Sequence, residues 1–346
     1  MRTLLNLDWL TLSGKTTAPE YVPHYRLGGI KNGGRIFSKC RSVIYKGKEI
    51  AVFVSCPCSP ILARDTAQIT FRNWVLYDFD VCTYITNICR VAGFYPVSVT
   101  RLDVACDFQC FRSGIAPTDF IKRFALGKYV KNGGGNFGAM GKCGVSLEIE
   151  TLTFGKRASG IYCRLYNKSR EQEEGVKKEW ITKQWEQIGF NLNKPVWRLE
   201  FELRGKSIKL LDKETGEIGK LVISSILSRD YIINLFKMLV RDYFDFRIKT
   251  NDKNKSRWKR LDTFDFECCE LVRVRAVDYE RGGLREKILL KNLHLFYERY
   301  GTDNLVQANE IGKIAERLEK MTGLGKWVNK HIDDWKYRES LKFDTK

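Results

Sequence analysis

Between Leu4 and Leu12 apolar and polar side chains take turns, the period of two expected of a half-buried strand. Glycine-rich turns then cut LGGIKNGGRIF and SVIYKGKEIAVFVS into short strands running to Cys58, and AQITFR (residues 67–72) reads as another. Residues 77–92 change to a helical period, and Ser98 to Phe108 returns to strand. Pro117 to Leu126 reads as a helix with proline in its first turn and Thr118-Asp119 near the cap. The segment KNGGGNFGAMGKCG lacks the strand–GxGxxG–helix context of a nucleotide loop and reads as a flexible hairpin. Strands resume over residues 145–154, 160–166 and 196–204, with a charged helix over 169–188. Helical patterns cover 222–243, 284–300 and 304–321. These periods predict a mixed α+β domain over residues 1–205, followed by a helical, basic region over 206–346.

Three of the strands share a design. In RLDVACDF, Arg101, Asp103 and Asp107 fall on one face, with Leu102, Val104 and Cys106 on the other. In WRLEFELR, Arg198, Glu200, Glu202 and Arg204 oppose Trp197, Leu199, Phe201 and Leu203. In IYCRLYNKSRE, Tyr162, Arg164, Tyr166 and Lys168 oppose Ile161, Cys163 and Leu165. One such strand alone reads as an ordinary strand with a solvated face. Three together bring carboxylates, arginines and tyrosines to one surface. Carboxylates suit hard Mg²⁺ or Mn²⁺, arginines bind phosphate in pairs of hydrogen bonds, and an activated tyrosine can attack a phosphodiester.

Charge points the same way. Sixty Lys and Arg against 41 Asp and Glu give +19, which speaks of polyanionic partners rather than of fold. Around Trp258 lie Arg247, Lys249, Lys253, Lys255, Arg257, Lys259 and Arg260, a run that is either solvated or in contact with phosphate. The 11 cysteines form no C-x-x-C pair, and the three histidines are scattered, so thiols in a reducing cytosol are expected rather than disulfides or zinc. No H-x-H pair occurs, which leaves carboxylates as the only metal ligands available to a tyrosine nickase. Ser13-Gly14-Lys15-Thr16 fails as a phosphate-binding loop because Trp9 stands where the first glycine is required. The N-terminal run is too polar for a signal peptide, and no stretch of about 18 apolar residues occurs, so a soluble cytoplasmic protein is expected.

In their order, TRLDVACDF, FGKRASGIYCRLYNKSRE and VWRLEFELRG resemble the replication initiation factor family (Rep_trans type). Its members are rolling-circle replication initiators of bacterial plasmids and phages, with related relaxases. The resemblance covers residues 98–205, and LDWLTL and AQITF extend it toward the start. It implies a curved antiparallel sheet with helices on one face. The family motif falls on Gly155, Arg157, Ser159, Arg164, Tyr166, Asn167 and Lys168. That makes Tyr166 the nicking nucleophile, with Tyr162 the weaker alternative, and gives Arg164 and Lys168 catalytic places beside it.

Further expectations follow from the resemblance. Asp103, Glu200 and Glu202 are the metal ligands for Mg²⁺ or Mn²⁺, with the glutamate that binds directly left open. Arg101, Arg157, Ser159 and Arg198 are expected to contact DNA phosphate, as are Arg257, Lys259 and Arg260. Where plasmid members often carry a glutamate, this chain has Thr70, so Asp107 or water would have to substitute. The implied partners are origin DNA, duplex and extruded single strand, a second copy of the chain, and a host helicase. The implied function is origin-specific nicking through a covalent 5′-phosphotyrosine. A relaxase of a conjugative element, or a DNA-binding regulator impaired in nicking, are the alternatives.

Overall fold

A computed structural model of the chain describes residues 2–59, 62–143, 147–205, 208–212, 218–219, 221, 223–265 and 271–274. By its contacts the chain divides into Met1–Val274 and Arg275–Lys346. The second unit, with the helices expected over 284–300 and 304–321, lies outside the described residues. The first unit runs on past residue 205, where the sequence pattern places a boundary.

Six strands come first: β1 (Thr3–Thr16), β2 (Tyr25–Leu27), β3 (Lys31–Asn32), β4 (Phe37–Tyr45), β5 (Lys48–Pro57) and β6 (Thr66–Phe71). Helices α1 (Asn73–Leu76) and α2 (Val81–Ala92) lead to β7 (Phe94–Phe108), then α3 (Pro117–Ala125) and β8 (Tyr129–Lys131). Next come β9 (Phe137–Cys143), β10 (Leu147–Phe154), β11 (Ile161–Asn167), α4 (Lys168–Glu174), α5 (Glu179–Gln187) and β12 (Trp197–Arg204). The remaining elements are β13 (Lys209–Asp212), β14 (Ile218–Gly219), α6 (Ile223–Ile226), α7 (Arg229–Tyr243), β15 (Phe246–Ile248) and β16 (Leu271–Val274).

Eleven of these strands form one antiparallel sheet in the order β2-β4-β5-β6-β1-β7-β12-β11-β10-β9, with β3 on β4. The α+β class and the antiparallel sheet are as the sequence pattern predicts. The apolar halves of β7, β11 and β12 bury Leu102, Val104, Leu165, Leu199, Phe201 and Leu203. Helix α7 packs on that face, where Phe236 meets Phe201 with ring centroids 5.8 Å apart. Helix α5 and Tyr77, just after α1, cover part of the opposite face, since Trp185 and Tyr77 both hydrogen-bond side chains there.

Three expected helices are interrupted. The one over 169–188 breaks into α4 and α5 at Gly175, which has extended backbone. That over 222–243 breaks at Ser228, the extended N-cap of α7, and that over 77–92 starts only at Val81. At the far end of β12, Gly205 is required by space, because a Cβ there would meet the Val99 carbonyl oxygen at 1.9 Å. The nine cysteines among the described residues are all free. No helix among the described residues is long and apolar enough to cross a membrane.

Candidate active site

Register brings the three similar strands together. Across β7, β12 and β11, Asp103 faces Glu202 and then Tyr162, Ala105 faces Glu200 and then Arg164, and Asp107 faces Arg198 and then Tyr166. Residues paired in this way share a face, and successive rows lie about 7 Å apart along the strands. The expected surface therefore exists, but it is largely buried: Asp103, Glu200, Glu202 and Arg198 are each no more than 3% exposed.

Tyr166 sits at the centre of the usable part. Its hydroxyl donates to Glu200 Oε2 at 2.8 Å. The other carboxylate oxygen of Glu200 accepts from Arg164, and Lys168 Nζ lies 3.5 Å from the phenol oxygen. Both cations also flank the tyrosine ring, at 5.6 Å for Arg164 and 5.5 Å for Lys168. Arg164 Nε is buried and has no hydrogen-bond partner among the described residues. Helix α4 begins at Lys168, capped by the Asn167 side chain on the amide of Arg170. This start turns Lys168 inward, where Glu171 Oε2 accepts from it at 2.6 Å. A cavity of about 620 Å³ opens onto Tyr166, Arg164, Lys168, Glu200, Asp103 and Arg101.

Burial, joined by the charge of Glu200 and opposed by Arg198, pushes the Tyr166 phenol well above its ordinary range. At neutral pH the hydroxyl therefore keeps its proton, which it donates in a hydrogen bond to Glu200. Burial, with the charge of Arg198 added, draws Lys168 below the usual lysine range.

Next to this group, Arg101 grips Asp103 with two hydrogen bonds, of 2.9 and 2.6 Å, and reaches Glu202 at 3.3 Å. Trp9 stacks on Arg101 at 4.6 Å. Burial, with the charges of Glu200 and Glu202, pushes Asp103 up to about 7 against the pull of Arg101. Oxygen donors of this kind suit a hard divalent cation. Among the described residues no three Asp, Glu, His or Cys side chains already converge as a metal group, because arginines lie between them. Asp103, Glu200 and Glu202 carry oxygen donors of that kind, each already held by Arg101 or Arg164.

The row that ends at Asp107 has a different role. Arg198 is fully buried and donates to Asp107 Oδ1 at 2.5 Å and Oδ2 at 2.8 Å, to Tyr77 at 2.9 Å, and to Asp8 Oδ1 at 2.5 Å. The other partner on Asp107 is the Trp185 indole, at 2.8 Å. Arg198 is therefore a structural cation and not a phosphate contact, and Asp107 cannot stand in for the carboxylate absent at Thr70. Thr70 itself pairs with the Thr11 hydroxyl at 3.0 Å. Asp8 escaped the sequence reading. It occupies a β-bulge, where the pairing of β1 with β7 skips from Leu7 to Trp9. Burial would raise its carboxyl, but Arg198, Lys168 and Tyr77 outweigh burial and hold it well below the usual range.

Other expected phosphate contacts lie elsewhere. Arg157 and Ser159 occupy the β10–β11 turn, beyond Ile161, the opposite end of β11, which lies roughly 17 Å from Tyr166 by strand rise. Arg157 is exposed, whereas the Ser159 hydroxyl serves the turn by bonding Lys156 O at 2.5 Å and Ile161 O at 2.6 Å. Arg260 is held by Asp245 Oδ1 at 2.6 Å. Arg257 and Lys259 are exposed, and Trp258 between them is packed in, its indole bonded to Asp252 O at 2.8 Å. Tyr162 faces Glu202 and does not line the cavity. The cavity wall also includes Asp8, Trp9, Met140, Arg170 and Lys178, none of them singled out by motif.

No family model and no curated protein matches the chain. Among solved structures, it is similar to a rolling circle replication initiator protein from Geobacillus stearothermophilus, at 17% identity and a TM-score of 0.44. That match covers 76% of this chain and 93% of the other. A likeness of that degree leaves function to be argued from this chain's own residues.

Proposed function

We propose that the chain is a DNA nicking and strand-transfer enzyme that initiates rolling-circle replication, with Tyr166 as nucleophile. One observation carries this reading: the Tyr166 hydroxyl rests on a carboxylate, between two cations, at the wall of an open polar cavity. The sequence resemblance of the three strands supports it independently.

In the first transfer the phenol oxygen attacks phosphorus, and its proton passes to Glu200. The bond from phosphorus to the 3′ oxygen breaks, leaving a 5′-phosphotyrosine on Tyr166. The departing oxygen takes a proton, for which the Lys168 ammonium is the near donor, and becomes the 3′ hydroxyl that primes synthesis. Arg164, whose partly exposed side chain lines the cavity, binds the phosphate oxygens as charge builds on them. A second transfer, in which a 3′ hydroxyl attacks the phosphotyrosine, recloses the strand and returns the phenol. Asp103 and Glu202 would hold Mg²⁺ or Mn²⁺, and the metal when bound would polarise the scissile phosphate.

The test uses supercoiled plasmid carrying the chain's own origin, with Mn²⁺. Wild-type protein and Tyr162→Phe are expected to give open circles and a covalent protein–DNA band, whereas Tyr166→Phe gives neither. Open circles from Tyr166→Phe would overturn the assignment.

A further inference from the structure

The opposite end of the sheet carries a second basic surface. From Tyr21 to Lys48 the chain has no Asp or Glu and seven cations: Arg26, Lys31, Arg35, Lys39, Arg41, Lys46 and Lys48. Three of them sit on the β3–β4 hairpin. Lys31 pairs across to Cys40, and Lys39 to Asn32 and Ser55. Since Lys39 and Cys40 are neighbours on one strand, Lys31 and Lys39 point to opposite faces. Arg35 lies in the turn between them. Lys31, Asn32, Arg35, Ser38 and Lys39 are all exposed, one cation on each face and one in the turn, while Phe37 at the start of β4 is buried.

The turn itself is held firmly. Gly33 N–H donates to Ser38 O at 3.1 Å, and Gly34 N–H to Asn32 Oδ1 at 2.9 Å. Gly34 has φ +97°, and a Cβ on Gly33 would meet Phe37 O at 2.6 Å. Ile30 and Ile36 stand beside the turn, each 62% exposed. Unlike Arg101, Arg164, Arg198 and Arg260, which hold carboxylates, Lys31, Arg35 and Lys39 make no ion pair among the described residues.

We infer that this hairpin is a docking element for duplex DNA, inserted into the major groove beside the nick. This rests on the nicking function proposed above. A sheet layer is about 10 Å thick, and the major groove is about 12 Å wide between two walls of phosphate. A layer cationic on both faces matches two such walls, whereas a one-sided basic face would match only one. The exposed apolar residues are isoleucines, suited to thymine methyls, and not the aromatic platform on which single strands stack. Six strand-to-strand steps separate β4 from β11, which carries Tyr166. At about 4.8 Å each these put the groove contact roughly 29 Å, or about eight to nine base pairs, from the nicking site.

The experiment compares full-length wild type with the triple variant Lys31→Ala/Arg35→Ala/Lys39→Ala. A control, Lys122→Ala/Lys183→Ala/Lys194→Ala, makes the same charge change on exposed residues elsewhere. Binding to a fluorescent random-sequence duplex, the matching single strand and an RNA duplex is followed by anisotropy against salt, after circular dichroism confirms folding. The hairpin variant is expected to lose at least about tenfold in duplex affinity, and its slope of log K against log salt to fall by about two to three. The control should keep wild-type duplex binding, and the hairpin variant should keep wild-type cleavage of a single-stranded oligonucleotide. An equal loss in the control, an equal loss on single strand or RNA, or an unchanged salt slope would each overturn the inference. If wild type cleaves nothing while the duplex result stands, it is the nicking reading that fails instead.

Discussion

At the scale of single residues, the pair Tyr166–Glu200 decides what chemistry is open. A phenol that burial keeps protonated must lose its proton during attack, and only a group already bonded to it can take that proton without delay. Glu200→Gln preserves the shape but offers no basic oxygen. Single-turnover cleavage of an oligonucleotide should fall by about 10²- to 10⁴-fold, while DNA affinity stays near wild type. A variant cleaving within a few-fold of wild type would remove Glu200 from the proton's path. Asp103 answers a different question. In the cleavage-dead Tyr166→Phe background, Asp103→Ala should abolish the Mn²⁺ binding measured by calorimetry, a readout that does not involve nicking at all.

At the scale of elements, the sequence was legible where alternation is strict. The faces of β7, β11 and β12 followed from residue parity, and so did the company of Tyr166 with Glu200 and Arg164. What parity could not distinguish was Arg198 from Glu200, two residues apart on one face of β12. One is sealed beneath Trp185 and Tyr77, the other borders a cavity, and the difference arises from α5 and the chain around α1, distant in sequence. Asp8 was hidden for a similar reason: its polar place in LNLDWL was visible, but its partner is 190 residues away. Stability should record this cluster. Arg198→Met leaves Asp8 and Asp107 buried without their cation and should cost about 3–5 kcal/mol in urea unfolding. Asp8→Asn should behave differently with pH. The folded carboxyl lies below its unfolded value, so its contribution is complete above about pH 4 and fades as pH falls further. The gap between wild type and Asp8→Asn, measured by thermal unfolding, should be widest at neutral pH and narrow steadily in acid.

At the scale of the whole molecule, an excess of 19 positive charges does not translate into 19 free contacts. Around the cavity arginines hold carboxylates, and exposed cations such as Lys31, Lys39, Arg157 and Lys259 lie away from it. One sheet thus joins a nearly neutral reaction chamber to basic outer surfaces. Composition pointed to a polyanionic partner but could not say which cations were already engaged, since that depends on strand register. The helices expected beyond residue 274 lie outside the described residues.

The bulge at Asp8 also sets an order in time. Strand β1 can pair with β6 and β7 once residue 108 has been made, but Asp8 must wait for Arg198 to reach it. Closing so long a loop is slow compared with forming the hairpins around it. The same late strand delivers Glu200, so the proton acceptor and the cluster beneath it arrive together. A ribosome partway through this message carries Tyr166 without the carboxylate it bonds. The pairing of Tyr166 with Glu200 is complete only when the central sheet is.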